Sequence, residues 1–270
     1  RRGPAHLTAP EAVGLAGPQL ENISAFEDLC LVAFTTTRQA GSFGTHTDDP
    51  VREVMGRWYD LRGSLSLAAP RFATATQVHG TRVVEHEGTW EGWLRVTEAD
   101  GHFAPRRGTA MAVTIADCVP VFMAHPEGAT ALLHSGWKGT AARIIDRAIA
   151  AFSRQGCAAA ELRVHLGPAI CGACYEVSAE VAAALTGIAP SSAESDGGDA
   201  RGAGARSRPH VDLRAIIAQH ARDAGVTDIT TSRWCTRCDN ARFFSHRAGD
   251  AGRQVAVMVA RCDSPRVDSL

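Results

Sequence analysis

Ala110-Met111-Ala112-Val113-Thr114-Ile115-Ala116-Asp117-Cys118-Val119-Pro120-Val121-Phe122-Met123-Ala124 holds two apolar runs parted by a short polar break at Asp117-Cys118. A third run, 129–133, follows and leads into His134-Ser135-Gly136-Trp137-Lys138-Gly139-Thr140. Brief stretches of Val, Ile, Leu and Ala bounded by Gly, Pro or Asp read as buried strands. Before them, 29–37 is β-like and enters a loop at Arg38–Gly44, 49–61 has helical spacing (Val51, Val54, Met55, Trp58), and strands at 72–78 and 82–85 flank His79-Gly80. After them come a helix over 140–152 with Thr140 as N-cap, a strand at 162–166 and a short helix at 181–185. A helix over 212–224 capped by Asp212 follows, then strands at 229–232 and 254–260. Strands and helices are interspersed without strict βαβ alternation, so the expected class is α+β, a single domain with mixed β-sheets flanked by helices. Residues 1–22 are expected to form a loose arm, 23–270 the domain, and the Gly/Ala/Ser/Asp-rich 187–209 a mobile loop.

The chain has 270 residues, 45% of them hydrophobic, and a formal net charge of −1, enough apolar content for a substantial core. That charge balance gives no electrostatic case for nucleic acid or an anionic membrane surface. No apolar run approaches the roughly 18 to 20 residues that cross a bilayer, and no secretory signal is legible, so a cytoplasmic location is expected. Eight cysteines then read as reduced thiols or metal ligands.

Three ligand-capable residues share one local setting: His79, Cys118 and His134 each follow an apolar stretch and precede a turn signal at Gly80, Pro120 or Gly136. Strand ends that converge would give a metal two imidazoles and a thiolate with one position open, which is the catalytic kind of zinc site. Singly, each residue has a plainer reading: a solvated histidine, or a small buried thiol. Trp137 and Lys138 sit in a Gly-x-x-Gly turn before the helix expected at Thr140, a setting suited to an anion. Asp117 would point away from Cys118 in a regular strand but towards a metal if the chain turns there.

Two further pairs, Cys171-Gly172-Ala173-Cys174 and Cys235-Thr236-Arg237-Cys238, are the usual sign of a tetrathiolate zinc site. About 60 residues separate them, more than a compact ribbon has, so a redox pair or unconnected thiols remain open. Glu176 is a general base or a solvated acid. Arg242-Phe243-Phe244-Ser245-His246-Arg247 is a ligand-lining segment or a core strand with charged ends.

Six motifs in order resemble the laccase-domain, or multicopper polyphenol oxidoreductase, family. They are Thr76-Gln77-Val78-His79-Gly80, Ala116-Asp117-Cys118-Val119-Pro120-Val121, His134-Ser135-Gly136-Trp137-Lys138-Gly139-Thr140, Gly167-Pro168-Ala169-Ile170 with Cys174-Tyr175-Glu176-Val177, Cys235-Thr236 and Phe243-Phe244-Ser245. The resemblance spans roughly 29–260 and implies the family's single α+β domain with Zn2+ held by His79, Cys118 and His134. It further implies action on purine nucleosides: phosphorolysis of adenosine, inosine and S-methyl-5'-thioadenosine, and deamination of adenosine.

On that footing Cys118, Asp117 and Glu176 are the expected catalytic residues, the two acids as proton shuttles beside water acidified by the metal. Arg38, Arg57 and Lys138 are expected to receive phosphate, Phe244 or Phe43 to wall the ring, and Ser42 and Gln77 to complete the contacts. The expected partners are small-molecule purine nucleosides and phosphate, with the protein a monomer or small homo-oligomer. Three other readings remain: copper-dependent phenol oxidation, amide hydrolysis with Cys118 as nucleophile, and a metal-holding module without turnover.

Overall fold

A computed structural model describes residues 19–187 and 208–261, and all structural statements concern these. The expected arm and the expected loop at 187–209 lie almost wholly outside them. At the arm's end, however, Leu20–Asn22 is a strand, β1, antiparallel to β2 (Leu31–Thr36). Helix α1 (Val51–Leu65) precedes β3 (Arg71–Ala75), β4 (Val83–Glu85), β5 (Gly92–Val96) and β6 (Gly101–Ala104). Next come β7 (Thr109–Ile115), β8 (Val119–Ala124), β9 (Thr130–Ser135), α2 (Trp137–Ala141), α3 (Ile144–Arg154), β10 (Arg163–Leu166) and α4 (Ala179–Thr186). The chain continues through α5 (Leu213–Asp223), β11 (Asp228–Thr231) and β12 (Gln254–Ala260).

The strands form two mixed six-stranded sheets, in the orders β1-β2-β12-β7-β3-β5 and β11-β10-β8-β9-β6-β4. The α+β class, with mixed sheets and flanking helices, is therefore correct. The apolar runs assign the layers, because side chains of a strand alternate between faces. In β12, Val255, Val257 and Val259 pack with Val54, Trp58, Leu61 and Leu65 of α1, whereas Ala256, Met258 and Ala260 join Phe122 and Leu132 of the other sheet. In β8, Phe122 and Ala124 face that intersheet core while Val119, Val121 and Met123 face Ile145, Ile149 and Phe152 of α3. The result is helix, sheet, sheet, helix. A strand buried on both faces needs continuous apolar sequence, which is why these runs were legible.

Two expectations fail locally. The helix expected from Thr140 is broken: α2 ends at Ala141, Arg143 takes a left-handed φ of 55°, and α3 starts at Ile144. Thr140 lies inside α2 with its hydroxyl 2.9 Å from that of Ser135, so it caps no helix, and the helix N-terminus stands three residues earlier, at Trp137 after Gly136. Strands β5 and β6 were not foreseen, since Trp93-Leu94-Arg95-Val96 is half solvated and β6 opens on Gly101-His102. Asp212 does cap α5, accepting from the N–H groups of Arg214 and Ala215.

His102 of β6 is fully buried, with its Nδ1 2.9 Å from Nε2 of buried His86. Burial, helped by the charge of Arg71, pushes His86 down to about 4, and burial together with His86 pushes His102 down to about 3. The unfolded chain, with histidines near 6.5, binds protons first as pH falls, so this contribution is complete above about 6.5 and is lost towards about 4 for His86 and about 3 for His102. Unfolding free energies from urea titrations across that window are expected to fall with acidification, by up to about 1.4 kcal/mol per pH unit for each ring. A His86→Gln, His102→Gln variant should flatten the slope; an equally steep variant would refute the assignment.

Candidate metal centre and its cavity

His79 lies in the loop after β3, Cys118 between β7 and β8, and His134 near the end of β9. The structure brings the three together: one potential ligand atom from each lies within 4.8 Å of the others. Two of the turns that deliver them adopt left-handed backbone at non-glycine residues, φ 60° at His79 and φ 82° at Asp117. Such conformations cost of order 1–3 kcal/mol and cluster at functional sites. With the turn at Asp117, that residue borders the same cavity as Cys118.

The residue that organises this centre is Asp100, which carried no signal in the sequence. It is fully buried, and Oδ1 accepts from the His79 N–H (2.9 Å) and from His134 Nδ1 (2.8 Å). Oδ2 accepts from the N–H groups of Val78 (3.1 Å) and Gly80 (2.7 Å). Burial opposes its charge, but these donors overcome that and keep the carboxyl below its ordinary range. A histidine that gives its Nδ1 proton to a carboxylate presents Nε2 to a metal, an arrangement usual behind metal-ligating histidines.

Burial also works against charge at Cys118 and His134, and each overcomes it through the other. The His134 charge and hydrogen bonds from His134 and His79 bring Cys118 down to about 6, while Cys118 and Asp100 raise His134 to about 9. A thiolate is the ligand form of cysteine.

Gly136, between His134 and α2, leaves the space in which these ligands meet. A Cβ there would lie 2.9 Å from Cys118 Sγ and 2.9 Å from His79 Cδ2. Its φ of −82° suits any residue, so the demand for glycine is steric. The donor set and this close approach together fit a metal ion. Gly136→Ala is expected to keep the fold but displace a ligand, and a misplacement near 1 Å costs about 10²-fold in turnover. Gly56→Ala on α1, with open space around its Cβ, is the control and should leave metal content unchanged.

The centre opens into a cavity of about 710 Å³. One wall is aromatic: Phe43 and Trp58 meet edge to face at 5.2 Å, and Trp58 and Trp93 lie 5.8 Å apart. Arg95, Arg247 and Arg253 bring positive charge to its lining, and Tyr175 brings a phenol. Burial, then the nearby Cys118, raises the Tyr175 pKa and keeps it protonated.

Of the expected substrate contacts, Gln77 borders the cavity, its amide joined to Thr114 through three hydrogen bonds. Arg38 is not among the lining residues; it binds the Asn240 and Phe243 carbonyls and Asp250, and stacks over Phe244. Arg57 binds the Ser42 carbonyl and Asp49, while the Ser42 hydroxyl accepts from the N–H groups of Gly44 and Arg253. Lys138 is exposed and lies over Trp137. Glu176 is exposed with its carboxylate 3.7 Å from Arg208, and it does not line the cavity. Asp117 does, with Oδ1 accepting from Thr236 Oγ1 (2.6 Å) and Oδ2 from the Arg247 N–H (2.7 Å). The arginines that border the cavity are thus Arg95, Arg247 and Arg253, of which Arg247 holds the Glu176 carbonyl and Arg253 the carbonyls of Asp250, Ala251 and Gly252 through NH1.

The sequence profile of the family described as multi-copper polyphenol oxidoreductase laccase matches residues 34–261. The chain belongs to this laccase-domain family. Among its relatives is a purine nucleoside phosphorylase of Deinococcus radiodurans, 33% identical over 93% of this chain and 94% of that protein. An adenosine deaminase from an unknown prokaryotic organism is 34% identical over 52% of this chain and 53% of that protein. The laccase-domain fold is seen in the crystal structure of YlmD from Geobacillus stearothermophilus, which superposes with a TM-score of 0.75 at 27% identity, covering 89% of this chain and 94% of that one.

Proposed function

We propose that the protein is a zinc-dependent purine nucleoside enzyme that phosphorolyses adenosine, inosine and S-methyl-5'-thioadenosine and deaminates adenosine. The observation that carries this reading is the His79–Cys118–His134 centre opening into a cavity of about 710 Å³ with an aromatic wall, a size suited to a small ligand. The names of the relatives supply the substrate class. When bound, zinc supplies a Lewis acid that acidifies a water in its open position.

The remaining roles fall to the chain itself. Trp58, Trp93 and Phe43 offer the purine an apolar wall. Gln77 gives one amide N–H to Thr114 and has a second for substrate. Arg95, Arg247 and Arg253 replace Arg38, Arg57 and Lys138 as the cations for phosphate. Asp117 is the proton-accepting carboxylate, since its oxygens retain free lone pairs beside Cys118, and the protonated Tyr175 phenol is the donor. The free thiols of the described cysteines fit a reducing, cytoplasmic setting.

The family's laccase name raises copper as a second reading, and two His with one Cys do form copper sites, usually with an axial Met. Here Met111, Met123 and Met258 are fully buried in the apolar cores, and Met55 of α1 packs against the cluster of Phe43 and Trp58 while bordering the cavity. Among the described residues no helix is long and apolar enough to cross a membrane. The test is incubation of the pure protein with adenosine and phosphate. Adenine, inosine or hypoxanthine is the expected product, and absence of all three from protein with its metal content intact would overturn the reading.

A further inference from the structure

We propose that Cys171, Cys174, Cys235 and Cys238 hold a second metal ion, a structural tetrathiolate zinc, at the loops that leave β10 and β11. These parallel neighbours run side by side from Arg163↔Asp228 to Leu166↔Thr231, and the pairing continues beyond them through the Ser232 N–H to the Leu166 carbonyl and a bridge between Ala169 and Cys235. That continuity closes the gap of about 60 residues between the two Cys-x-x-Cys pairs. The four Sγ atoms all lie within 4.8 Å of one another, and those of Cys174 and Cys238 are 3.4 Å apart. Sulfurs at about 2.3 Å from a tetrahedral zinc are separated by roughly 3.8 Å, so the four thiols already stand close to a ligand shell.

The loops are also shaped for thiolates. The N–H groups of Cys171 and Cys238 both point at Cys235 Sγ, at 3.3 and 3.4 Å, donors that a metal-bound sulfur accepts readily. In the first pair the Cys174 N–H turns back to the Cys171 carbonyl at 3.0 Å, which puts both side chains on one side of the turn. Four protein ligands leave no open position, so the role is structural, and binding would release the thiol protons.

The site also bears on the cavity. Tyr175 follows Cys174 directly and Thr236 follows Cys235; Tyr175 borders the cavity and Thr236 donates to Asp117 beside Cys118. Arg237 NH1 further ties its loop to the Cys174 carbonyl. A metal here would stitch together two irregular loops that form one wall of the first centre. The proposal stands apart from the reaction, because it rests on none of the residues assigned to nucleoside chemistry.

Metal content of the full chain, purified under reducing conditions, tests it. Wild-type protein is expected to contain two zinc ions per chain, a His79→Ala, His134→Ala variant one, and a Cys171→Ser, Cys238→Ser variant one. Cobalt substitution of the His79→Ala, His134→Ala variant should give the intense charge-transfer absorption of a tetrathiolate, a readout that does not need the second variant to fold. A metal-free His79→Ala, His134→Ala protein that still melts cooperatively would overturn the proposal. So would mass spectrometry that finds the four cysteines of unreduced wild-type protein in disulfides.

Discussion

Cys118→Ala is expected to abolish turnover of adenosine while leaving the melting temperature of the metal-free protein within a few degrees of metal-free wild type. Structural zinc in four-ligand peptides is held by roughly 10–16 kcal/mol, or about 2.5–4 kcal/mol per ligand, so loss of the thiolate should weaken the metal about 10²- to 10³-fold. The fold has little stake in that atom. Cys118 occupies the short link between β7 and β8, whose apolar faces are fixed elsewhere, and His134 keeps its bond to Asp100. The measurement is metal affinity by competition with a chelator alongside product formation. Wild-type turnover in this variant would remove the metal from the mechanism. The same position separates the hydrolase reading, in which Cys118 is a free nucleophile. A ligated thiolate resists iodoacetamide until the metal is stripped, whereas a free one with a pKa near 6 reacts at once at neutral pH.

What the sequence disclosed and what it withheld follow from the range of the interactions. The convergence of His79, Cys118 and His134 was legible because each repeats one local pattern, an apolar strand ending at a turn. The layers were legible for a similar reason: Val255 to Val259 and Val119 to Met123 alternate between two buried faces. Asp100 was not legible, since its meaning comes from His134, 34 positions away, and from the backbone of 78–80. The break at Arg143 is a single left-handed residue inside a run whose apolar spacing continues through it. The bonds that Arg38 and Arg57 make were not legible, because sequence shows a charge without its partner. Asp250, Asp49 and the carbonyls that occupy the two arginines come from loops brought near only by folding. Arg95 and Trp93, which do reach the cavity, sit on the half-solvated strand that periodicity missed.

Asp100→Asn is expected to damage both metal binding and stability, which distinguishes it from loss of a ligand. An ionised carboxylate offers about four acceptor sites, and here four donors use them, two on each oxygen. An amide keeps one oxygen and sets an NH2 group against the remaining two donors. If the oxygen stays with His79 and His134, the N–H groups of Val78 and Gly80 face another donor; in the other orientation His134 and the His79 backbone do. Each buried donor left without an acceptor costs about 1–3 kcal/mol, so the variant should lose roughly 2–6 kcal/mol by urea denaturation. Weakening of a carboxylate behind a metal-ligating histidine typically lowers metal affinity about 10- to 100-fold. The two losses share one cause, because the carboxylate that orients the His134 ring also holds His79 in its left-handed turn. Saturating zinc should therefore restore part of the stability of Asp100→Asn, by pulling both histidines back into place. Unchanged denaturation midpoints in Asp100→Asn would mean that the turn at 78–80 holds itself, and that Asp100 serves His134 alone.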